Sequence, residues 1–468
     1  MPESEHFLEK FVAPQSVAVV GASNNAARIS YHLVGNLINM GYPGRIYPVN
    51  PKEKEILGIK SYATVSDFEE VVDLAVIGVS SAHTPGVLEE CARKGIKRVT
   101  LIAGGFSEIG AKGKEMQDHM AELLKKYNMR AIGPNALSPI NVQGKFAVSF
   151  HELKTITPGN LSLIFQSGLY EPAFTWLLTD YNLRFSKLID LGNKMDINEV
   201  DALNYLVRDP ETRVIGIHTE SISGDGREFY KALCKAREHD KRVVVIKTGR
   251  TKAGAKAAAS HTGSMVRGSD LVFDAVLKQS GALRVDTIEA FFDVCRALDR
   301  FGETRPKGNR VAVGVFPGGL GVMVTDLCER SGLRMAHISE ASTELLKRIY
   351  PPWPVAPNPW DIGVTTQFND PITVMDTWTN AISGDPNVDM LAFQVHEDML
   401  VLREDFFSMF LRAKDAGKPT ALWMQGKEPG TSDMLKWLEE NNVPVFPSPE
   451  KAIQALVALY QLNPPLTG

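Results

Sequence analysis

Short runs of β-branched and aliphatic residues recur at 17–20, 45–49, 74–79, 98–102 and 130–132, separated by longer stretches such as 111–127 that read as helix. Strand-length apolar runs alternating with helices predict βαβ units, and hence a parallel sheet whose ligands sit at the carboxyl ends of its strands. About the first 140 residues fit one such sheet. A less periodic stretch punctuated by Gly and Pro then runs from Gly133-Pro134-Asn135 to Thr157-Pro158-Gly159-Asn160. Alternation resumes at 161–165, 187–190, 213–218 and 242–247 and ends near Arg300. The polar, turn-rich segment 302–309 reads as a linker, and a third alternation passes through 311–316, 390–395, 419–424 and 443–446. The pattern predicts three consecutive α/β domains over 1–145, 150–300 and 309–468. The second and third each open with a strand, a glycine-containing turn and a helix, a weak internal similarity.

Composition narrows what such a chain can do. The 468 residues carry 51 Lys and Arg against 55 Asp and Glu, with the signs mixed, so no global field attracts nucleic acid or an anionic membrane. Cys91, Cys234, Cys295 and Cys328 stand far apart, which indicates neither a disulfide framework nor a zinc site, and no other metal site is evident. That usage points to the reducing cytoplasm. The first ten residues hold three Glu and no apolar core of a signal, and no run of 18 apolar residues occurs, so neither export nor a membrane span is expected.

Candidate chemistry lies at the strand ends. After 17–20, Gly21-Ala22-Ser23-Asn24-Asn25 reads as a tight turn into a helix, whose N-terminus suits an anion. The dinucleotide fingerprint would require glycine at 23 and 26, where Ser23 and Ala26 stand, which disfavours NAD. The second strand ends in Asn50-Pro51-Lys52 with no acid for a ribose diol, and its lysine favours a phosphate-rich ligand such as coenzyme A. The same residues would also serve a plain βα turn with no ligand. His261 lies among alanines, hydroxyls and Gly263, a setting that predicts a mobile, backbone-exposed loop. Glu220 follows the strand at 213–218 in the same predicted domain. A carboxylate bonded to one ring nitrogen would leave the other nucleophilic, although a solvated acid and a surface histidine would leave the same trace. Gln166-Ser167-Gly168 and Pro317-Gly318-Gly319-Leu320-Gly321 each open a predicted helix whose free N–H groups could cradle a phosphoryl group, or could be ordinary turns.

Taken together, these motifs resemble the ADP-forming (NDP-forming) acyl-CoA synthetases, the superfamily that includes succinyl-CoA synthetase, and within it the α subunit of the archaeal-type acetyl-CoA synthetase. The resemblance spans nearly the whole chain, through Val19-Val20-Gly21-Ala22-Ser23, Val49-Asn50-Pro51-Lys52, Ala103-Gly104-Gly105-Phe106-Ser107-Glu108, Gly133-Pro134-Asn135, Leu191-Gly192-Asn193-Lys194, Lys247-Thr248-Gly249-Arg250-Thr251 and Ser260-His261-Thr262-Gly263-Ser264. It implies a Rossmann-like CoA-binding domain followed by two flavodoxin-like, succinyl-CoA synthetase-like domains. It further implies coenzyme A at Gly21, Ser23, Asn50, Lys52, Ser80 and Asn135, and a transient phosphohistidine at His261 paired with Glu220. Phosphate would bind at Ser167, Gly168, Gly318, Gly319 and Gly321. No ATP-grasp segment is evident, so the resemblance implies a separate ATP-grasp β subunit carrying ATP or ADP and Mg2+, in an α2β2 assembly that acts on a small carboxylic acid.

The chain departs from the family pattern in two places. Ala136 stands where a cysteine often follows Gly-Pro-Asn, and Leu169-Tyr170-Glu171-Pro172 replaces a run of small residues after Ser167-Gly168. Both changes could reshape the acyl pocket, which makes acetate doubtful and leaves either a different acid or an altered phosphate affinity; Trp353 and Trp360 are further pocket candidates, or packing residues. The rival to an enzyme subunit is a non-catalytic CoA- or acyl-CoA-binding regulator. The presence of both His261 and Glu220 favours the enzyme. A fused acyltransferase needs a domain for which the length leaves no room, and a dehydrogenase is weakened by Ser23, Ala26 and Asn50.

Overall fold

The computed structural model describes residues 6–153, 156–166, 168, 170–262, 269–396, 399 and 404–463. The first sheet consists of β1 (Ser16–Val20), β2 (Arg45–Val49), β5 (Leu74–Ile77), β6 (Arg98–Leu101) and β7 (Arg130–Ile132), with β3 (Glu55–Ile56) and β4 (Ile59–Lys60) forming a small hairpin outside it. Its order is β2-β1-β5-β6-β7, all parallel. Every residue of β1 is buried, as expected of a central strand covered on both faces. Because the chain passes to β2 on one side of β1 and returns to β5 on the other, the strand order reverses between β1 and β5. Such a reversal opens a crevice at the carboxyl edge.

The second sheet combines β8 (Ile140–Asn141), β9 (Phe146–Ala147), β10 (Pro158–Phe165), β11 (Phe185–Asp190), β12 (Val214–Thr219), β13 (Arg242–Lys247) and β14 (Leu283–Val285) in the order β14-β13-β12-β10-β11-β8-β9. Residues 140–147, which the sequence pattern leaves at the end of the first layer, form an antiparallel hairpin on the edge of this second sheet. The reversal here lies between β10 and β12, at the turns that contain Gln166 and Glu220. These two sheets share one apolar core that runs from Leu8 and Val17 to Ile217 and Leu277. Accordingly, residues 1–175 and 184–286 form one compact unit.

The other unit comprises residues 176–183 and 287–468, the division passing through the helix Tyr170–Thr179. Its sheet has the order β16-β15-β18-β19-β20, from β15 (Arg310–Val315), β16 (Arg334–Met335), β18 (Met390–Gln394), β19 (Thr420–Trp423) and β20 (Val445–Phe446), with the short β17 (Trp360–Asp361) also pairing with β15. Its order reverses between β15 and β18, where the Phe316 N–H donates to Gln394 Oε1 at 2.7 Å. Trp360 is fully buried in this core, whereas Trp353 is half exposed and meets Phe368 edge to face. The helix Ile288–Phe301 packs here rather than with the second sheet, and its buried Arg296 and Arg300 both donate to Glu439. Arg300 also donates to the Asn182 carbonyl at 2.6 Å and Arg296 to that of Val445 at 2.9 Å.

Glu439→Ala would take from two buried guanidinium groups the carboxylate they share, leaving Arg296 with Asp293 at 3.8 Å and Arg300 with Asp299 at 3.5 Å, and would deprive the Val445 N–H of its acceptor. It is expected to destabilise the second unit by about 3–5 kcal/mol. Urea unfolding followed by fluorescence checks this, and a wild-type midpoint would show that the cluster adds no net stability.

Candidate active site

At the carboxyl edge of the first sheet, Gly21 takes φ +89° and its N–H donates to the Val49 carbonyl at 2.9 Å. A Cβ there would lie 2.9 Å from the Gly78 carbonyl oxygen, so only glycine lets the two switch-point turns approach. Asn50 Nδ2 donates to the Ala22 carbonyl at 2.8 Å and its Oδ1 accepts from the Lys52 N–H at 2.8 Å, which ties the first two strand tips together. Lys52 itself is exposed. Ser23 is buried and accepts from the Asn25 N–H, while Ser80 Oγ meets His83 Nδ1 at 2.9 Å ahead of the helix Thr84–Lys94. The first helix after Gly21 begins only at Ile29, so the turn predicted to run straight into a helix is instead a loop over 21–28. Gly21, Ser23, Asn50, Lys52 and Ser80 thus share one stretch of edge.

Asn135 belongs to a different cluster, three motifs brought together from distant parts of the sequence. Its N–H donates to the Ala103 carbonyl at 3.0 Å, and the Asn193 N–H donates to the Pro134 carbonyl at 2.9 Å. Asn193 Nδ2 reaches Glu108 Oε2 at 2.6 Å, and Glu108 Oε1 accepts from the Gly105 N–H at 2.5 Å. Burial pushes the Glu108 carboxyl up, but these donors outweigh it and hold the group below its ordinary range.

The second sheet presents a buried polar network at its switch point. Glu220 is 7% exposed, and its N–H donates to Gln166 Oε1 at 3.0 Å. The same oxygen accepts from Lys194 Nζ and Thr219 Oγ1, both at 2.9 Å. Lys194 also donates to the Ser221 carbonyl at 2.5 Å and pairs with Glu199 Oε1 at 3.3 Å, while Glu199 accepts from the Ser223 N–H. Burial pulls the Lys194 ammonium below the usual lysine range, and the attraction of Glu199 offsets only part of that. No role is assigned to Gln166, Lys194 or Glu199 from the sequence; the only trace they leave there is position, one before a glycine turn and two around a Gly-Asn-Lys motif.

His261 differs from the sequence expectation in its backbone. Residues Lys252–Thr262 form an α-helix rather than a loop, consistent with the high helix propensity of its five alanines. The His261 side chain, Gly263 and Ser264 lie outside the described residues, as do Ser167, Leu169 and the side chains of Glu171 and Pro172. Gly168 is exposed, and beyond it Tyr170 is buried, its ring tilted against Phe165 at 4.5 Å between centroids and meeting the His218 ring edge to face at 5.7 Å. Tyr170 therefore fills space where the resemblance calls for a small residue.

In the second unit, the helix Gly318–Arg330 starts after Pro317. Its first N–H is already taken, because Gly318 donates to Asp361 Oδ2 at 2.9 Å while Asp361 Oδ1 accepts from the Val364 N–H at 3.2 Å. An anion arriving here would meet a carboxylate. Gly319 faces open space, and Gly321 packs on Pro359 and Val315. Among the described residues, no group of three or more His, Cys, Asp or Glu is placed to hold a metal ion, and no helix is long and apolar enough to cross a membrane.

Parallel sheets with polar groups at their switch points define a layered α/β protein, and comparison with known proteins places it more closely. Residues 15–139 match the CoA binding domain, and residues 158–298 match the succinyl-CoA ligase like flavodoxin domain. The chain is 37% identical to the ADP-forming acetate–CoA ligase I subunit alpha of Pyrococcus furiosus, over 97% of both chains. It is 35% identical to ADP-forming acetate–CoA ligase II of Archaeoglobus fulgidus over 95% of its own length, but spans only 65% of that longer protein. The solved structure of a dinucleotide-forming acetyl-coenzyme A synthetase 1 from Ca. Korarchaeum cryptofilum, in complex with phosphate and ADP, superposes with a TM-score of 0.86 at 32% identity, covering 97% of this chain and 96% of that one. The chain belongs to the ADP-forming acyl-CoA ligase family, a family of enzymes, and is homologous to its alpha-subunit chains along nearly its whole length.

The two glycine turns make opposite predictions. Gly21→Ala combines a left-handed φ with a close carbonyl and should cost about 1–3 kcal/mol. Gly319→Ala, in a helix with open space around its Cβ, should be neutral or stabilising by up to about 1 kcal/mol. Thermal unfolding of both variants decides this, and equal midpoints would refute the close approach at Gly21.

Proposed function

We propose that this chain is the α subunit of an ADP-forming acyl-CoA synthetase that interconverts carboxylate, CoA and ATP with acyl-CoA, ADP and phosphate. Its domains would span 1–145, 150–300 and 309–468. Coenzyme A would bind along the first edge at Gly21, Ser23, Asn50, Lys52 and Ser80, with Asn135 at its far end. In the synthetic direction, ATP phosphorylates a ring nitrogen of His261 and releases ADP. The carboxylate oxygen then attacks phosphorus, giving acyl phosphate and free histidine. Finally the CoA thiolate attacks the acyl carbon and expels phosphate. Glu220 would accept the N–H of the other ring nitrogen, which orients the imidazole and stabilises its positive charge in the phosphorylated form. Ser167 and Gly168 would hold the phosphoryl group beside it, and Gly318, Gly319 and Gly321 would open a second phosphate-binding helix if Asp361 yields its place.

The observation that carries this reading is the burial of Glu220 at the switch point of the second sheet, next to the Gln166–Gly168 turn and in the same sheet whose β13 leads into the helix bearing His261. An ATP-grasp β subunit would supply the nucleotide and Mg2+ site, in an α2β2 assembly located in the cytoplasm. The acid would be small; the buried Tyr170 favours one other than acetate. A CoA-binding regulator without chemistry would bind the same ligand but carry no phosphate.

With the β subunit and γ-labelled ATP, or with the labelled acyl phosphate of its own acid alone, the chain should acquire acid-labile, base-stable phosphate on His261. His261→Ala should abolish that label and overall turnover while leaving CoA binding intact; unchanged labelling in this variant would make the histidine structural. Calorimetry on the full chain should detect CoA binding, and binding of NAD without CoA would overturn the assignment of the first edge.

A further inference from the structure

Gln166, in the buried network at the second sheet's switch point, has its two amide ends treated differently. Lys194 Nζ and the Glu220 N–H are obligatory donors, and both converge with Thr219 Oγ1 on one atom of the Gln166 amide. That atom must be the carbonyl oxygen, so the orientation of the amide follows from chemistry rather than from convention. Its Nε2 is therefore turned away from this cluster, and it is buried without a hydrogen-bond partner although Gln166 is only 3% exposed. A buried amide NH2 without an acceptor is costly, and a bound ligand oxygen would remove that cost. Gln166 also immediately precedes Ser167-Gly168 at the end of a strand that flanks the topological switch.

We propose that Gln166 Nε2 donates to an oxygen of the phosphoryl group held at this turn. Lys194 acts as a positioning residue that fixes which end of the amide is free to donate. This rests on the reading of the Gln166–Gly168 turn as phosphate-binding. Lys194 is suited to the role because it is itself almost fully buried, held at φ +53° and anchored on Glu199 and the Ser221 carbonyl, so its ammonium cannot follow a ligand outward. Without that ammonium, the amide oxygen would keep the Glu220 N–H but lose its charged donor, and the amide would be held less firmly in this orientation.

Gln166→Glu tests the proposal, because it keeps an oxygen for the inward donors and turns the other end from a donor into an acceptor that, when ionised, also repels a phosphate oxygen; the neutral Gln166→Met separates loss of the donor from added charge. Inorganic phosphate binding to the full chain, followed by 31P NMR, should weaken by at least about tenfold, with CoA affinity unchanged. Gln166→Met should weaken it similarly. Lys194→Met should do the same alone but add nothing in the Gln166→Met background, since a positioning residue acts through its target. Unchanged phosphate affinity in Gln166→Glu, or no phosphate binding by the wild type, would overturn the donor role; additive losses in the double variant would overturn the role of Lys194. Weakened phosphate binding without any label on His261 would support the donor and count instead against the phosphohistidine reading.

Discussion

The first unit depends on a close backbone approach at Gly192. This residue has φ +54°, and a Cβ on it would fall inside contact distance of the carbonyl oxygens of both Pro134 and Asn135. Only a bare Cα lets the turn after β11 lie against the turn after β7. Once it does, the Asn193 and Met195 N–H groups bond the Pro134 and Gly133 carbonyls, at 2.9 and 3.1 Å, and Asn193 reaches across to Glu108. Lys194, next in the chain, is thereby delivered into the polar network under Glu220. One missing methyl group thus joins the first sheet's edge to the polar groups around Gln166.

All three sheets repeat the same arrangement. Each is parallel around a reversal of strand order, and each reversal is flanked by a glycine-containing turn: Gly21 beside Gly78, Gln166–Gly168 beside Glu220, and Gly318 near Gln394. What distinguishes them is how their polar groups are satisfied. At the second, a buried amide nitrogen has no acceptor among the described residues. At the third, a carboxylate of the protein already occupies the first helix N–H. A negative charge at a helix start is stabilising in its own right, so Asp361 needs no ligand to explain it. The two turns look alike in sequence yet differ in electrostatics.

The strands and the three-layer α/β organisation were legible because a buried parallel strand must be nearly continuous in apolar residues, and runs such as 17–20 and 242–247 have no other stable use. The predicted helix at 111–127 coincides with the observed Ala111–Tyr127 for the same reason of period. Less legible was the ownership of segments. The pair 140–147 reads as the end of one layer and pairs with the next, and Ile288–Phe301 belongs to the unit of the third sheet, because pairing partners are set by long-range contacts that local periodicity does not encode. The alanine-rich segment around His261 reads as a loop from its small residues, yet the same alanines favour helix once the flanking chain permits it.

The sequence by itself determined where strands end, and therefore that Gly21, Asn50, Gln166, Glu220 and Gly318 would stand at carboxyl edges, since that follows from apolar run length and turn chemistry alone. It also held the motifs that carry family membership. Only the tertiary structure decided which of those edge groups meet. Gln166 is joined to Lys194, 28 residues on, and to Glu220, 54 residues on, and Gly318 is joined to Asp361, 43 residues on. A hydrogen bond needs its donor and acceptor within about 3 Å, and no local pattern in a chain fixes the distance between residues so far apart until the sheets have closed.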